Sequence, residues 1–180
     1  MVIAELDQSV HLQAWHALLR AQAGLACSLE RELMAAEGLP LVWYEVLRVL
    51  DQDPQGALRL QRLMDTVLMT KSGVSRLIDR MEAAGLVARS GCPSDRRGAY
   101  AVITDQGRER LRRAAPVHAR GIDRHLAGIL EADQAARLRD ALTAVADALE
   151  GEGVCLPCTG VDGDAGSEAE ADASLQAATR

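Results

Sequence analysis

The stretch from Thr70 to Thr104 reads TKSGVSRLIDRMEAAGLVARSGCPSDRRGAYAVIT, and it leaves few choices of local fold. Val74, Leu77, Ile78 and Met81 recur at helical spacing, which predicts a helix over 71–84 with one buried stripe. Lys71, Ser72, Ser75, Arg76 and Arg80 fall on its other faces. Thr70 suits the N-cap, because its hydroxyl can accept from a free N–H of the first turn. Gly85 stands where such a helix stops. Leu86–Arg89 and Ala99–Thr104 then read as the arms of a hairpin. Gly91 to Gly98 between them has turn chemistry and carries Asp95, Arg96 and Arg97. A short basic helix therefore stands beside an arginine-tipped hairpin.

The flanks read as helices. Leu12, Trp15, Leu18, Leu19, Leu25 and Leu29 predict one long helix over 5–37, with Gly24 its weak point and Cys27 packed deep within it. Gly38-Leu39-Pro40 ends it, and Pro40 suits the opening of the next helix, about 41–51. That helix carries Val42, Trp43, Val46, Leu47 and Leu50. A short strand at Leu58–Leu60, a helix at 60–67 and a turn at Leu68-Met69 lead to the basic helix. Beyond the hairpin, Thr104-Asp-Gln-Gly caps a helix over 105–129. A last helix over 132–149 has Leu138, Leu142, Val145 and Leu149 on one stripe.

Charge sharpens the picture once it is divided. The chain holds 20 Lys and Arg against 26 Asp and Glu, a net of −6. Residues 150–180 account for all of it, with Glu150, Glu152, Asp162, Asp164, Glu168, Glu170 and Asp172 against Arg180. Residues 58–113 carry twelve basic side chains and six acidic ones. A phosphate backbone responds to the local sign, which is positive here. From Gly151 on, Gly, Ala, Ser and acids dominate, and the segment reads as a disordered acidic tail.

Other function classes recede. No nucleophile–base pair, phosphate loop or HExxH occurs, so an enzyme is not expected, and neither is a cofactor. His118 and His125 lie seven apart, two turns along a helix, which is too far for one ion without further ligands; no metal site is expected. The opening MVIAELDQSV has an acid where a secretory leader is basic. No apolar run approaches the roughly 20 residues needed to cross a bilayer. The four cysteines are scattered, as in a reducing compartment. The expectation is a cytoplasmic protein with no membrane partner.

Three segments in order carry a resemblance: LQRLMDTVLMTKSGVSRLIDRMEAAGLVAR from Leu60, SDRR in the hairpin tip, and ITDQGRERL after it. With the helices around them they resemble the MarR family of transcription regulators over roughly residues 5–149. The resemblance implies a mainly α fold with a small β-hairpin wing. Residues 1–149 would form one domain, with a winged helix-turn-helix at about 41–104 and dimerisation helices at about 5–37 and 105–149. Residues 150–180 lie outside it. It also implies an obligate homodimer whose terminal helices interlock, with Leu6, Val10, Leu126, Ile129, Leu130, Leu138, Leu142 and Leu149 as candidate contacts. Such a dimer reads a palindromic operator in double-stranded DNA, with half-sites about one helical turn apart.

In a helix-turn-helix the N-terminal part of the second helix enters the major groove. Here that part runs from Thr70 to Arg76. Lys71 and Arg76 reach phosphates or guanine edges, Ser72 and Ser75 bond either, and Gly73 lets the backbone approach the groove floor. Arg80, a turn further on, meets phosphate, and Arg89 in the wing arm adds charge. The resemblance implies that Arg96 or Arg97 enters the minor groove, with Asp95 holding the loop in shape. A narrow minor groove rewards an inserted arginine.

The resemblance also implies a repressor released by a small aromatic or phenolic effector. The lining would come from Trp15, His16, Leu19, Trp43, Leu47 and Arg112. A thiol-based redox regulator of the same fold is the main rival. Cys92 lies near Arg89, Arg96 and Arg97, and positive neighbours favour thiolate. Cys155 and Cys158 have CxxC spacing in the tail. Outside DNA binding, a helical protein-interaction module remains, and the acidic tail raises competition with DNA for the basic face.

Overall fold

Helix ends and their caps set the element order. In this computed structural model residues 9–67, 71–92 and 95–151 are described, apart from the side chains of 65, 66, 71, 92, 95–99, 150 and 151. Helix α1 is Val10–Glu37, α2 Leu41–Gln52, α3 Leu60–Val67, α4 Lys71–Ala83, α5 Asp105–Ile122 and α6 Ala132–Gly151. Strand β1 is Ala57–Arg59, β2 Val87–Cys92 and β3 Asp95–Ile103. A π-helical segment, Asp123–Ala127, follows α5. The chain packs as two compact units. One holds residues up to Leu41 with Ala114–Ala136, and the other Val42–Arg113 with the chain from Arg137.

In the first unit, Leu29, Leu33, Leu39 and Ala114 are buried. Gly38 ends α1 in the left-handed region (φ 58°), and its N–H donates to the Met34 carbonyl. The Glu30 carboxylate accepts from the Leu41 N–H and so caps the start of α2 from eleven residues away. At Gly121 a Cβ would lie 2.5 Å from a Leu29 methyl, so α5 approaches α1 closely there.

The second unit places the predicted basic helix. Val74, Leu77, Ile78 and Met81 of α4 are all buried, with Val46, Leu47, Val49 and Leu50 of α2 and Leu63 of α3. The helix ends in a Schellman motif: the Gly85 N–H donates to the Glu82 carbonyl and the Leu86 N–H to the Met81 carbonyl. The sheet is antiparallel, in the order β1-β3-β2. Ala57 pairs with Val102 and Arg59 with Tyr100 on one side of β3, and Val87 with Ile103 on the other. Arg59 Nε donates to the Tyr100 hydroxyl at 2.9 Å, and its guanidinium lies 5.6 Å from that ring centre, pinning the short strand.

Thr104 joins three elements. Its hydroxyl accepts from the Gly107 N–H at 3.0 Å, the expected N-cap of α5, and donates to the Gly85 carbonyl at 2.7 Å. Residue 107 must be small, because a Cβ there would lie 2.1 Å from the Leu86 carbonyl oxygen.

Several expectations need correction. The hairpin arms are longer than Leu86–Arg89 and Ala99–Thr104. Leu86 closes the cap of α4 instead of pairing, and pairing runs on to Cys92↔Asp95 after a register shift past Gly91↔Ala99. The irregularity passes over Arg96, Arg97 and Gly98, which a turn-composition reading assigns to a loop. The helix over 105–129 stops at Ile122, where the wider π turn takes over. Pro116 lies inside α5, where it denies the Arg112 carbonyl its helical donor. Cys27 is exposed rather than packed. The first helix is described from Val10, and the tail beyond Gly151, Leu6 and the Leu68-Met69 turn lie outside the described residues.

Two glycines in helices should respond oppositely to alanine. Gly107→Ala should destabilise by about 1–3 kcal/mol, because the backbone at Leu86 must move. Gly24→Ala, with open space around it, should stabilise by about 0.5–1 kcal/mol. Urea unfolding of both variants checks this, and a neutral or stabilising Gly107→Ala would show that the α5 entry is not tightly packed.

Candidate nucleic-acid interface

Helix α4 is two-sided. Opposite its buried stripe, Ser72, Arg76 and Arg80 recur every four residues and all three are exposed. Among the described residues neither Arg76 nor Arg80 has an acidic partner. Gly73 and Ser75 are half-buried along the same helix. Thr70 lies outside the described residues, as do the side chains of Lys71, Asp95, Arg96 and Arg97.

Arg89 is placed differently from a free cation. From β2 its guanidinium reaches back to α4, donating to the Ser75 carbonyl at 3.0 Å, to Ser75 Oγ at 3.2 Å and to Asp79 at 2.5 Å. Glu82 Oε1 accepts from the Arg89 N–H at 2.8 Å, while Glu82 Oε2 lies 3.7 Å from its Nε. Arg89 thus holds the wing to the helix, and Ser75 is engaged in the same tie. Sequence reasoning missed this, because Asp79 and Glu82 show no pattern that marks them as wing partners. Two basic groups of α5 are also paired, Arg108 with Asp51 and Arg112 with Glu109.

This order of elements, with a basic helix tied to a two-stranded wing, has close parallels. The sequence model of the MarR family matches residues 37–98. AbsC, a MarR family transcriptional regulator from Streptomyces coelicolor, is 35% identical with a TM-score of 0.70, over 78% of this chain and 94% of AbsC. The chain belongs to the MarR family. A second MarR family regulator from S. coelicolor, solved in complex with DNA, is 33% identical with a TM-score of 0.71, over 78% and 92% of the two chains. The HTH-type regulator YkoM of Bacillus subtilis (strain 168) is 34% identical over 80 residues, 44% of this chain and 52% of YkoM. The chain thus aligns with about half the length of the curated relatives it matches.

The effector-lining residues suggested for a MarR-type chain are not gathered into one cavity within either unit. Trp15, His16 and Leu19 are exposed on α1, with Trp15 at 53%. In the other unit Leu47 is fully buried, Trp43 half-buried and Arg112 exposed. Leu47 therefore belongs to the core of the helix-turn-helix as it stands. The cysteine suggestions, Cys155, Cys158 and the side chain of Cys92, lie outside what is described.

The first unit holds a charged cluster that periodicity did not reveal. The π segment sets Arg124 and His125 on one carboxylate: Arg124 Nη1 lies 2.8 Å and His125 Nε2 3.0 Å from Glu32 Oε1. An open cavity of about 330 Å³ lies beside it, lined by Glu32, Ala35, Ala36, Val117, Arg120 and Arg124. The His125 hydrogen bond holds the Glu32 carboxyl below the usual carboxylate range; the Arg124 charge adds to this, and partial burial opposes it.

A carboxyl whose folded pKa is depressed stabilises above its unfolded pKa, about 4.3 for glutamate, and loses that effect as pH falls through the lower folded value. Glu32→Gln should therefore melt below the wild type at pH 7, and the gap should close towards pH 3.5. Circular dichroism melts at the two pH values check this. A gap that stayed constant would mean that the carboxylate charge does not hold the π segment.

Proposed function

We propose that the chain is a sequence-specific DNA-binding transcription regulator, a repressor that leaves a palindromic operator when a small aromatic or phenolic molecule binds. The observation that carries the DNA reading is the exposed Ser72–Arg76–Arg80 face, opposite the buried stripe of a helix that Arg89 ties to the wing. That face offers two arginines without acidic partners among the described residues, on a helix narrow enough for the major groove. The DNA complex of the S. coelicolor relative supports the same assignment. Release by an effector is supported by two tryptophans outside the fully buried core, Trp15 and Trp43. For such a molecule to act, it must bind the DNA-free arrangement better than the DNA-bound one.

Binding to duplexes from the chain's own upstream region, followed by anisotropy across a salt series, tests the DNA reading. Log affinity should fall linearly with log salt. Arg76→Ala should cost about 1–3 kcal/mol and flatten the preference for operator over unrelated DNA. Arg80→Ala should weaken all sequences alike and reduce the salt slope by about one. No specific duplex at moderate salt, or normal binding by both variants, would remove this assignment.

Assembly as a homodimer follows from the apolar side chains left uncovered. On α6, Leu138, Leu142, Val145 and Leu149 are 45%, 39%, 58% and 37% exposed at helical spacing. Val10, Trp15, Leu18 and Leu19 on α1, and Ile129, are also open. Uncovered apolar side chains at helical spacing mark an interaction face on each helix, and a second copy of the chain would cover them. Leu142→Asp should shift the sedimentation velocity profile from dimer to monomer at micromolar concentration. A wild-type chain that sediments as a monomer would overturn the dimer.

A further inference from the structure

Arg76 and Arg80 of α4, without acidic partners among the described residues, have a candidate occupant in the same chain. Beyond Gly151, where α6 ends, the sequence from Glu152 to Arg180 holds six carboxylates and one arginine. Five of the six, Asp162, Asp164, Glu168, Glu170 and Asp172, fall within eleven residues with no basic side chain among them. Only Gly, Ala and Ser separate them. We propose that this acidic segment docks on the Arg76–Arg80 face of α4 and competes there with DNA. The proposal rests on the DNA-binding reading for its consequence and on charge complementarity for the contact.

Spacing as well as sign favours the match. Arg76 and Arg80 are one helical turn apart, about 6 Å along the axis. Carboxylates two residues apart in an extended chain stand about 6.6 Å apart, and Asp162/Asp164, Glu168/Glu170 and Glu170/Asp172 all have that separation in sequence. The intervening Gly163, Ala169 and Ala171 add no bulk between the charges. The carboxylates Asp162 to Asp172 lie between eleven and twenty-one residues past Gly151, a reach of at most about 36 to 70 Å. A tethered ligand of this kind is present at about millimolar effective concentration, so even a weak contact competes.

The competition weakens every DNA sequence by the same factor. Unrelated DNA is held almost wholly by phosphate charge, the component the tail imitates. An operator adds base contacts that the tail cannot reproduce. The tail occupies the face for part of the time and weakens both by the same factor, so the operator, with the larger intrinsic affinity, stays bound at protein concentrations where unrelated DNA does not.

The test uses the full chain and a full-length variant with Asp162→Asn, Asp164→Asn, Glu168→Gln, Glu170→Gln and Asp172→Asn. At low salt the variant should bind an unrelated duplex about fivefold more tightly, and the gap should close by roughly 0.3 M salt. With Arg76→Ala and Arg80→Ala also present, the neutralisation should have no effect. Equal affinities at low salt, or a gain that persists without the two arginines, would overturn the docking. A second arm needs no DNA: a synthetic peptide of residues 152–180 is titrated onto the neutralised variant and followed by NMR. Shifts centred on Ser72–Arg80 that vanish with the two arginine substitutions support the contact, and their absence refutes it. If no chain bound DNA yet the peptide docked, the DNA-binding reading would fail and the contact would stand.

Discussion

Arg89 is the interaction on which the interface depends. A wing is two strands with little core of its own, and a helix end is free to rotate its cationic face. One guanidinium, joined to the Ser75 carbonyl and hydroxyl and to Asp79 and Glu82, sets the angle between the two. A partly exposed ion pair contributes little to stability, of the order of 0–1 kcal/mol. Its value here is geometric. A planar fork with several acceptors on successive turns of α4 admits few orientations. Thr104 does the complementary work on the far side, where its hydroxyl binds the end of α4 to the start of α5.

Several basic residues of the second unit are tied within the fold. Arg59 lies over Tyr100, Arg89 is engaged with α4, Arg108 is joined to Asp51 and Arg112 to Glu109. The paired groups build the scaffold. Arg76 and Arg80 face outward on α4, whose other side is fully packed. An unpaired guanidinium at a surface attracts any flexible anion, and DNA is one among several. The acidic segment of the same chain is the occupant proposed for that face.

The helices and their stops were legible because local physics sets them. Buried stripes at 3.6-residue spacing, Gly85 at a Schellman cap and Thr104 at an N-cap need only neighbours in sequence. The hairpin was legible as a hairpin, but its extent was not. Pairing past Gly91 depends on which residues the opposite strand can skip, and turn composition does not encode that. Arg89 was legible as a basic wing residue, but its tie to α4 was not, since its partners lie on another element. Leu47 was legible as an apolar residue of the second helix, while its complete burial was decided by packing.

The sequence by itself determined the buried stripe of α4, the uncovered stripe of α6 and the separation of the acidic end from the basic middle. Each follows from the order and spacing of side chains along one chain. Only the tertiary structure decided which cations are open and which are tied. It also broke the long helix at Ile122, where Glu32 takes up Arg124 and His125 together. Pairings of that kind depend on distances between segments remote in sequence, and those distances exist only once the chain has packed.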